Sequence, residues 1–417
     1  MIINDKIYGK LEIKEPVLLE LLRSPSILRL KNISQFGVPD RYYHLKNYSR
    51  YEHSVGVMIL LRKLGATLEE QVAGLLHDVS VLAFSHVVDW VFANGQEGIE
   101  DYHNSIHKVF VKKTEIPRIL EKFGFNLDRL LNEENFSLLE REIPDLCADR
   151  VDYALREFKH WLNPAILDAC IKGLVNYNGE IVFANQKAAM DFSVNFLELQ
   201  TKHWGGYQAM VRYYLISEVL KIALDKKVIS EKDFWKDEPF VLDKLEKTKD
   251  KTVGKLLRML KDKELNINNR SGRKIVKKFR YVDPKIISNG KLVLLSKLSP
   301  KFKKIFDLRD RVLKALEEKR TKGLIRSSLE AEIVISLDND KDFDLFSTTT
   351  YEGISPSYNH IYENDGTGYF QDITDSISPS QDIDTFSRGV AAADFDGDGD
   401  IDLYFSNPLS EAKPFST

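Results

Sequence analysis

Ser49-Arg50-Tyr51-Glu52-His53-Ser54-Val55-Gly56-Val57 and Ala73-Gly74-Leu75-Leu76-His77-Asp78 decide how this chain reads. Val55, Ile59 and Leu60 give the stretch holding His53 an apolar face at helical spacing. Leu68, Val72, Leu75, Leu76 and Val79 do the same around His77. Thr67-Leu68-Glu69-Glu70 reads as a capping box, with Thr67 at the N-cap and Glu70 three residues on. His77 and Asp78 are therefore expected near the end of a buried helix. Asp149-Arg150-Val151-Asp152-Tyr153 adds another carboxylate, Asp149. Two neutral imidazoles (His53, His77) and two carboxylates (Asp78, Asp149) are a balanced ligand set for one divalent cation. The carboxylates offset the metal charge, and an anionic phosphate can still approach. Ligands on packed helices can also be held to the tolerance a metal needs. For one such residue, a satisfied core histidine or a capping aspartate is the simpler reading; the four together point to a metal.

At these residues the chain resembles the HD superfamily of metal-dependent phosphohydrolases, and within it the branch of deoxynucleoside triphosphate triphosphohydrolases. The order His53…His77-Asp78…Asp149 carries the resemblance, with Arg29-Leu30, Gln35-Phe36-Gly37 and Phe84-Ser85-His86 around it, over about residues 7–307. It implies a mainly α fold, an HD-domain helical core with small β additions. It implies a divalent transition metal (Mn, Fe, Co, Zn or Mg), a nucleotide or other phosphate-ester substrate, and a homo-oligomer. It places His86, Asp89 and His103 as catalytic residues near the phosphate chain and leaving group. It places Arg50, Asp152, Tyr153 and Arg156 along the nucleotide. A fixed guanidinium suits bidentate contact with phosphate; the alternatives are that Arg50 caps a helix and Arg156 is a solvated surface charge.

One stretch departs from that branch. Its close members read His-Asp-x-Gly-His-x-Pro-Phe-Ser-His, whereas here Ser80, Val81 and Ala83 stand for the Gly, the second His and the Pro. Valine can neither donate to a phosphate oxygen nor carry a proton, so the change bears on triphosphohydrolase specificity. His86 and His103 still offer a proton for a leaving oxygen. The expected function is a metal-dependent phosphohydrolase acting on a nucleotide, such as a dNTP, or another phosphate ester. The alternative is a catalytically weak nucleotide-binding regulatory protein of the same fold.

The 417 residues suffice for two or three domains. There is no apolar run of membrane length, and Met1-Ile2-Ile3-Asn4-Asp5-Lys6-Ile7 lacks the apolar core of a signal peptide. Cys147 and Cys170 are the only cysteines, which excludes a disulfide framework or a cysteine zinc site and suits a reducing cytosol. A cytoplasmic protein with no membrane partner is expected. The net charge of −3 hides an asymmetry: from Ser327 onward, Lys341, Arg388 and Lys413 face 19 acidic residues, so the preceding body is basic. Such a break marks a change of module. The lysines and arginines between 246 and 326 could meet nucleic acid; a solvated basic face is the favoured reading.

The expected organisation is an HD core over 1–230, a C-terminal α+β region over 231–307, an amphipathic helix or linker over 308–337, and a short, acidic, β-rich tail with a calcium loop over 338–417. Residues 172–185 read as a β-hairpin around Asn178-Gly179. Short strands are expected around Arg280–Pro284 and Leu292–Leu295. The stretch over about 308–336 resembles a short piece of the C-terminal region of isoleucyl-tRNA synthetases, but no synthetase catalytic motif accompanies it. Asp394, Asp396, Asp398, Asp400 and Asp402 alternate with other residues in the Asp-x-Asp-x-Asp-Gly spacing of a calcium loop, with Gly399 permitting the turn. Together with Asn359–Gly366 and Phe370–Thr374 they resemble one FG-GAP repeat of an integrin-type propeller, over about 344–406. The alternative is a solvated acidic loop, and one blade alone cannot bury its own face.

Overall fold

The computed structural model describes residues 1–42, 48–92, 102–265 and 280–303, and beyond them the backbone of six strands between Ala331 and Phe405. The chain divides into two compact units, Met1–Phe302 and Lys303–Thr417. The first is mainly helical with small sheets, as the resemblance to the HD superfamily implies.

It opens with a hairpin, Ile2–Asp5 against Gly9–Glu12. Asp5 Oδ1 closes the turn by accepting from the amides of Ile7 (2.8 Å) and Tyr8 (3.0 Å). The helix Arg50–Lys63 starts with a complete capping box. Ser49 Oγ accepts from Glu52 N at 3.2 Å, and Glu52 Oε2 accepts from Ser49 N at 3.0 Å. The box expected at Thr67 is only half formed. Thr67 Oγ1 does accept from Glu70 N at 3.1 Å, but the Glu70 carboxylate accepts from Leu138 N at 2.8 Å instead of turning back. A tertiary partner has displaced the local one. The helix it starts, Leu68–Leu76, ends with His77 at its C-cap. A Cβ on Gly74 would run into Leu61 Cδ1, so glycine there lets the His53 and His77 helices pack closely.

The loop after His77 lies on a second part of the core. Leu82, Phe84, Val87 and Val88 pack with Leu215, Ile216, Val219 and Leu220 of the helix Tyr207–Asp225. They also pack with Val241 and Leu245 of the helix Glu238–Lys247. This apolar contact fixes the loop that carries Val81 to His86.

The predicted hairpin forms as Leu174–Tyr177 against Glu180–Phe183, with Asn178 and Gly179 at φ 52° and 81° in the turn. Two further strands, Lys285–Ser288 and Lys291–Leu294, complete a four-stranded sheet through a parallel bridge between Phe183 and Ile286. Residues on both sides of position 230 thus share one sheet. Arg280–Pro284 is not a strand. Asp283 instead accepts from Ser296 N (3.0 Å) and Ser296 Oγ (2.6 Å), and Leu295 begins a short helix, Leu295–Leu298.

The second unit holds an antiparallel sheet in the order Phe370–Asp372, His360–Asn364, Phe343–Thr349, Ala331–Leu337, and a separate pair, Val390–Ala393 with Asp402–Phe405. Ala331–Leu337 pairs along its whole length with Phe343–Thr349, so these seven residues form a strand within the stretch expected as an amphipathic helix or linker over 308–337. The β-branched run Ile333-Val334-Ile335 suits that strand. Residues 304–330 and Asp394, Asp396, Asp398 and Asp400 lie outside the described residues; Asp402 opens the last strand. Among the described residues, no helix is long and apolar enough to cross a membrane.

Candidate metal centre

Three helices deliver the four predicted ligands to one place. His53 comes from the first turn of Arg50–Lys63, His77 and Asp78 from the end of Leu68–Leu76, and Asp149 from the first turn of Ala148–Trp161. His53 Nε2 lies 2.8 Å from Asp149 Oδ1 and 3.8 Å from Asp78 Oδ2. His77 Nε2 lies 3.6 Å from each of the same two oxygens. His53, His77 and Asp149 each offer a ligand atom within 4.8 Å of the others. His77 Nδ1–H donates to Gly74 O at 2.8 Å, which turns Nε2 toward the cluster. That nitrogen is buried and has no hydrogen-bond partner. A buried orphan nitrogen facing two carboxylates is what a metal ligand looks like before its metal, so the residues present fit a divalent cation.

Electrostatics agree. Burial opposes charge on His77, but Asp78 and Asp149 outweigh it and raise the ring to about 10. Burial likewise opposes charge on His53, and its hydrogen bonds to Asp149 and Asp152 raise it all the same. Burial works against ionisation of Asp78, yet Arg50 and the two histidines hold it well below the usual carboxylate range. Burial works against ionisation of Asp149 too, and His53 and His77 hold it low against that opposition.

Behind His53 runs a buried chain of charges. His53 Nδ1 lies 2.8 Å from Asp152 Oδ2, and Arg156 Nε donates to that oxygen at 2.7 Å. Arg156 Nη2 donates to Asp5 Oδ2 at 2.8 Å. Asp152 is fully buried and Arg156 is 3% exposed. The expectation that both line a substrate is therefore corrected: their hydrogen bonds run to His53, to each other and to Asp5, and Arg156 is not a solvated surface charge. Tyr153 is half-buried instead, its ring centroid 6.4 Å from that of His53 and edge-on to Trp204 at 5.4 Å.

Arg50 is also more enclosed than expected. It donates from Nη1 to Asp78 Oδ2 (2.5 Å), from Nε to Ser85 Oγ (3.1 Å) and from Nη2 to Gln35 O (3.2 Å). It holds a predicted ligand and the following loop together. That loop is bent hard: Phe84 and Ser85 have φ of 71° and 45°, in the region L-residues avoid. Gly37 permits it, because a Cβ there would overlap Phe84 O. His86 follows, its side chain 31% exposed and its Nδ1 3.1 Å from Asp89 Oδ2. Val81 is 2% exposed and sits in the core. The side chain of His103 lies outside the described residues.

Two groups went unforeseen. His107, one turn beyond His103 on the helix Tyr102–Lys112, has Nδ1 2.7 Å from Ser80 Oγ. Burial, then the charge of His77, holds its ring down at about 4. The His-x-x-x-His spacing was the available signal. Glu133 is raised to about 7 by burial, against the pull of His77. Glu140, Cys147 and Asp149 form a second close group, but Arg150 fills it, with Nη1 3.2 Å from Cys147 Sγ and Nη2 3.5 Å from Glu140 Oε1.

Comparison with known proteins places this geometry. Residues 50–154 match the HD domain and residues 337–405 the FG-GAP-like repeat. The uncharacterized protein YdhJ of Bacillus subtilis is 38% identical over 323 residues, 73% of this chain and 94% of that protein. The metal-dependent phosphohydrolase cns2 of Cordyceps militaris is 44% identical over 170 residues, 40% of this chain and 48% of its own length. Deoxynucleoside triphosphate triphosphohydrolase SAMHD1 of Gallus gallus is 26% identical over 162 residues, 34% of this chain and 25% of its own. Apart from YdhJ, the chain thus spans half or less of these relatives. A solved structure of a hypothetical protein from Aquifex aeolicus shares the fold, with a TM-score of 0.53 at 19% identity over 72% of this chain and 92% of that one.

Proposed function

This chain belongs to the HD superfamily, and on that premise we propose that it is a metal-dependent phosphohydrolase acting on a nucleotide or another phosphate ester. The observation that carries the reading is the buried His77 Nε2, without a hydrogen-bond partner and 3.6 Å from both Asp78 and Asp149. His53, His77, Asp78 and Asp149 would hold the cation. Bound there, it supplies Lewis acidity toward a phosphoryl oxygen. Asp152 orients the His53 ring, and Arg50 fixes Asp78. His86, positioned by Asp89 and partly open to solvent, hands a proton to the leaving oxygen. Half-buried Tyr153, its ring centroid 6.4 Å from that of His53, offers an aromatic face for a base. The cns2 and SAMHD1 names support the phosphoester and nucleotide parts of this reading. The metal's identity among Mn, Fe, Co, Zn and Mg, and a homo-oligomeric state, belong to the same proposal.

Buried Val81 favours a second reading, a nucleotide-binding protein that turns over slowly. One experiment separates them: release of phosphate and of triphosphate from a nucleotide panel with Mn, Mg, Co or Fe. Hydrolysis of any member at a rate set by the added metal supports the first reading. Tight nucleotide binding without turnover supports the second.

A further inference from the structure

We infer that the N-terminal hairpin is a positioning element of the metal centre, acting through the chain Asp5–Arg156–Asp152–His53. This rests on the metal reading above. Each link is short: 2.8 Å from Asp5 to Arg156, 2.7 Å from Arg156 to Asp152 and 2.8 Å from Asp152 to His53 Nδ1. The four residues come from three separate stretches of chain, so this is a tertiary arrangement and not local capping.

Asp5 divides its two oxygens between two tasks. Oδ1 closes the hairpin turn through the amides of Ile7 and Tyr8, and Oδ2 receives Arg156. The guanidinium is planar and cannot serve both carboxylates unless each is fixed, so the hairpin sets its angle. Arg156 in turn fixes Asp152 Oδ2, which also meets His53 Nδ1. A carboxylate on Nδ1 keeps a proton there and leaves Nε2 to face Asp78 and Asp149. The room for this chain is made by Gly56: a Cβ at that position would overlap Arg156 Nη2 and Asp152 Oδ1. Tyr8, from the same hairpin, is buried beside Asp152, and burial and then that carboxylate keep its phenol neutral.

The test compares Asp5→Asn, Asp152→Asn and the double variant in the full chain. Asparagine keeps an acceptor for the hairpin amides but removes the charge that holds Arg156. Mn²⁺ affinity is measured by competition with a chelator, and the His53 ring is followed by ¹⁵N NMR in the metal-free protein. Asp152→Asn should weaken Mn²⁺ by about 10–100-fold, as loss of a partner bonded directly to a ligand does. Asp5→Asn, one link further out, should cost about 3–10-fold, below that range. The double variant should be no weaker than Asp152→Asn alone, because the chain is already cut. The His53 nitrogen signals should shift in folded Asp5→Asn, measured well below a melting temperature that the loss of a buried ion pair lowers. Arg156→Lys should behave like Asp5→Asn, since one ammonium cannot span both carboxylates. Unchanged affinity and unchanged His53 signals in Asp5→Asn would overturn the inference, as would equal losses from Asp5→Asn in both backgrounds. If wild-type protein takes up no Mn²⁺, the metal reading fails, and the His53 signals of metal-free Asp5→Asn still decide whether the hairpin positions that ring.

Discussion

Gly56→Ala sets two physical expectations against each other. Helix propensity alone favours the change by about 1 kcal/mol, because glycine in a helix interior costs about that much relative to alanine. Gly56 lies inside Arg50–Lys63, so this gain applies. The structure predicts the opposite sign. The new methyl would lie within 2.8 Å of Arg156 Cζ and overlap Arg156 Nη2 and Asp152 Oδ1. A long side chain could ordinarily step aside. Arg156 cannot, because Asp5 and Asp152 hold it at 2.8 and 2.7 Å and both acids are buried. Moving it strips a guanidinium from two buried carboxylates, and breaking one partner out of a buried ion pair costs about 3–5 kcal/mol. The net expectation is a loss of about 2–4 kcal/mol after the propensity gain is subtracted. Urea unfolding followed by tryptophan fluorescence reads it cleanly, since Trp90, Trp161, Trp204 and Trp235 all lie in the first unit. Stability equal to or above wild type would show that Arg156 relaxes at little cost and would refute the argument.

Other outcomes follow from the same geometry. Asp149→Ala should lower metal occupancy at least as much as loss of an outer partner, about 10–100-fold; a full metal content by elemental analysis would remove Asp149 from the ligand set. His86→Ala should cost about 10²–10⁴-fold in turnover with metal retained, the range for a lost general acid. His107→Ala should cost far less, because a ring held at about 4 carries no proton to give at neutral pH. Glu157→Gln addresses stability. Burial raises the Glu157 carboxyl to about 8, so between roughly pH 4.5 and 8 the folded state keeps a proton that the unfolded chain releases. Stability therefore falls as pH rises through that window, and Gln should remove the fall. Urea midpoints for the two proteins should diverge between about pH 5 and pH 8, with the variant gaining at the upper end; parallel curves would exclude Glu157 as the cause.

The parts of this fold legible in the sequence were those encoded locally. His53, His77, Asp78 and Asp149 each sit in a contiguous word, and helical spacing was enough to put the His53 and His77 stretches on packed helices. The Asn178-Gly179 turn was equally plain, because its backbone demands those residues. What the sequence concealed was partnership. Thr67 and Glu70 look like a box, and only the fold shows that Leu138 takes the glutamate. Arg156 looks like a substrate or surface charge until Asp5, 151 residues away, is seen to hold it. Ser80 appeared only as a replaced glycine, and its contact with His107 needed the third dimension.

Charge balance supplies the last test of the metal reading. Four carboxylates, from Asp5, Asp78, Asp149 and Asp152, surround His53 and His77 and the guanidinium groups of Arg50 and Arg156. Two guanidinium charges offset two of the four. In the metal-free protein a proton on His77, whose ring is raised to about 10, meets one of these, and Asp149 and Asp152 favour a proton on His53 as well. A dication meets the same two charges, but its ligands must be unprotonated imidazoles. Binding at about pH 7 should therefore expel at least one proton, and affinity should strengthen as pH rises and weaken as it falls. Calorimetric titration of Mn²⁺ in buffers of different ionisation enthalpy counts those protons directly. A count near zero would mean that the histidines are already neutral, and that the two carboxylates are balanced by something other than the rings which the metal is argued to join.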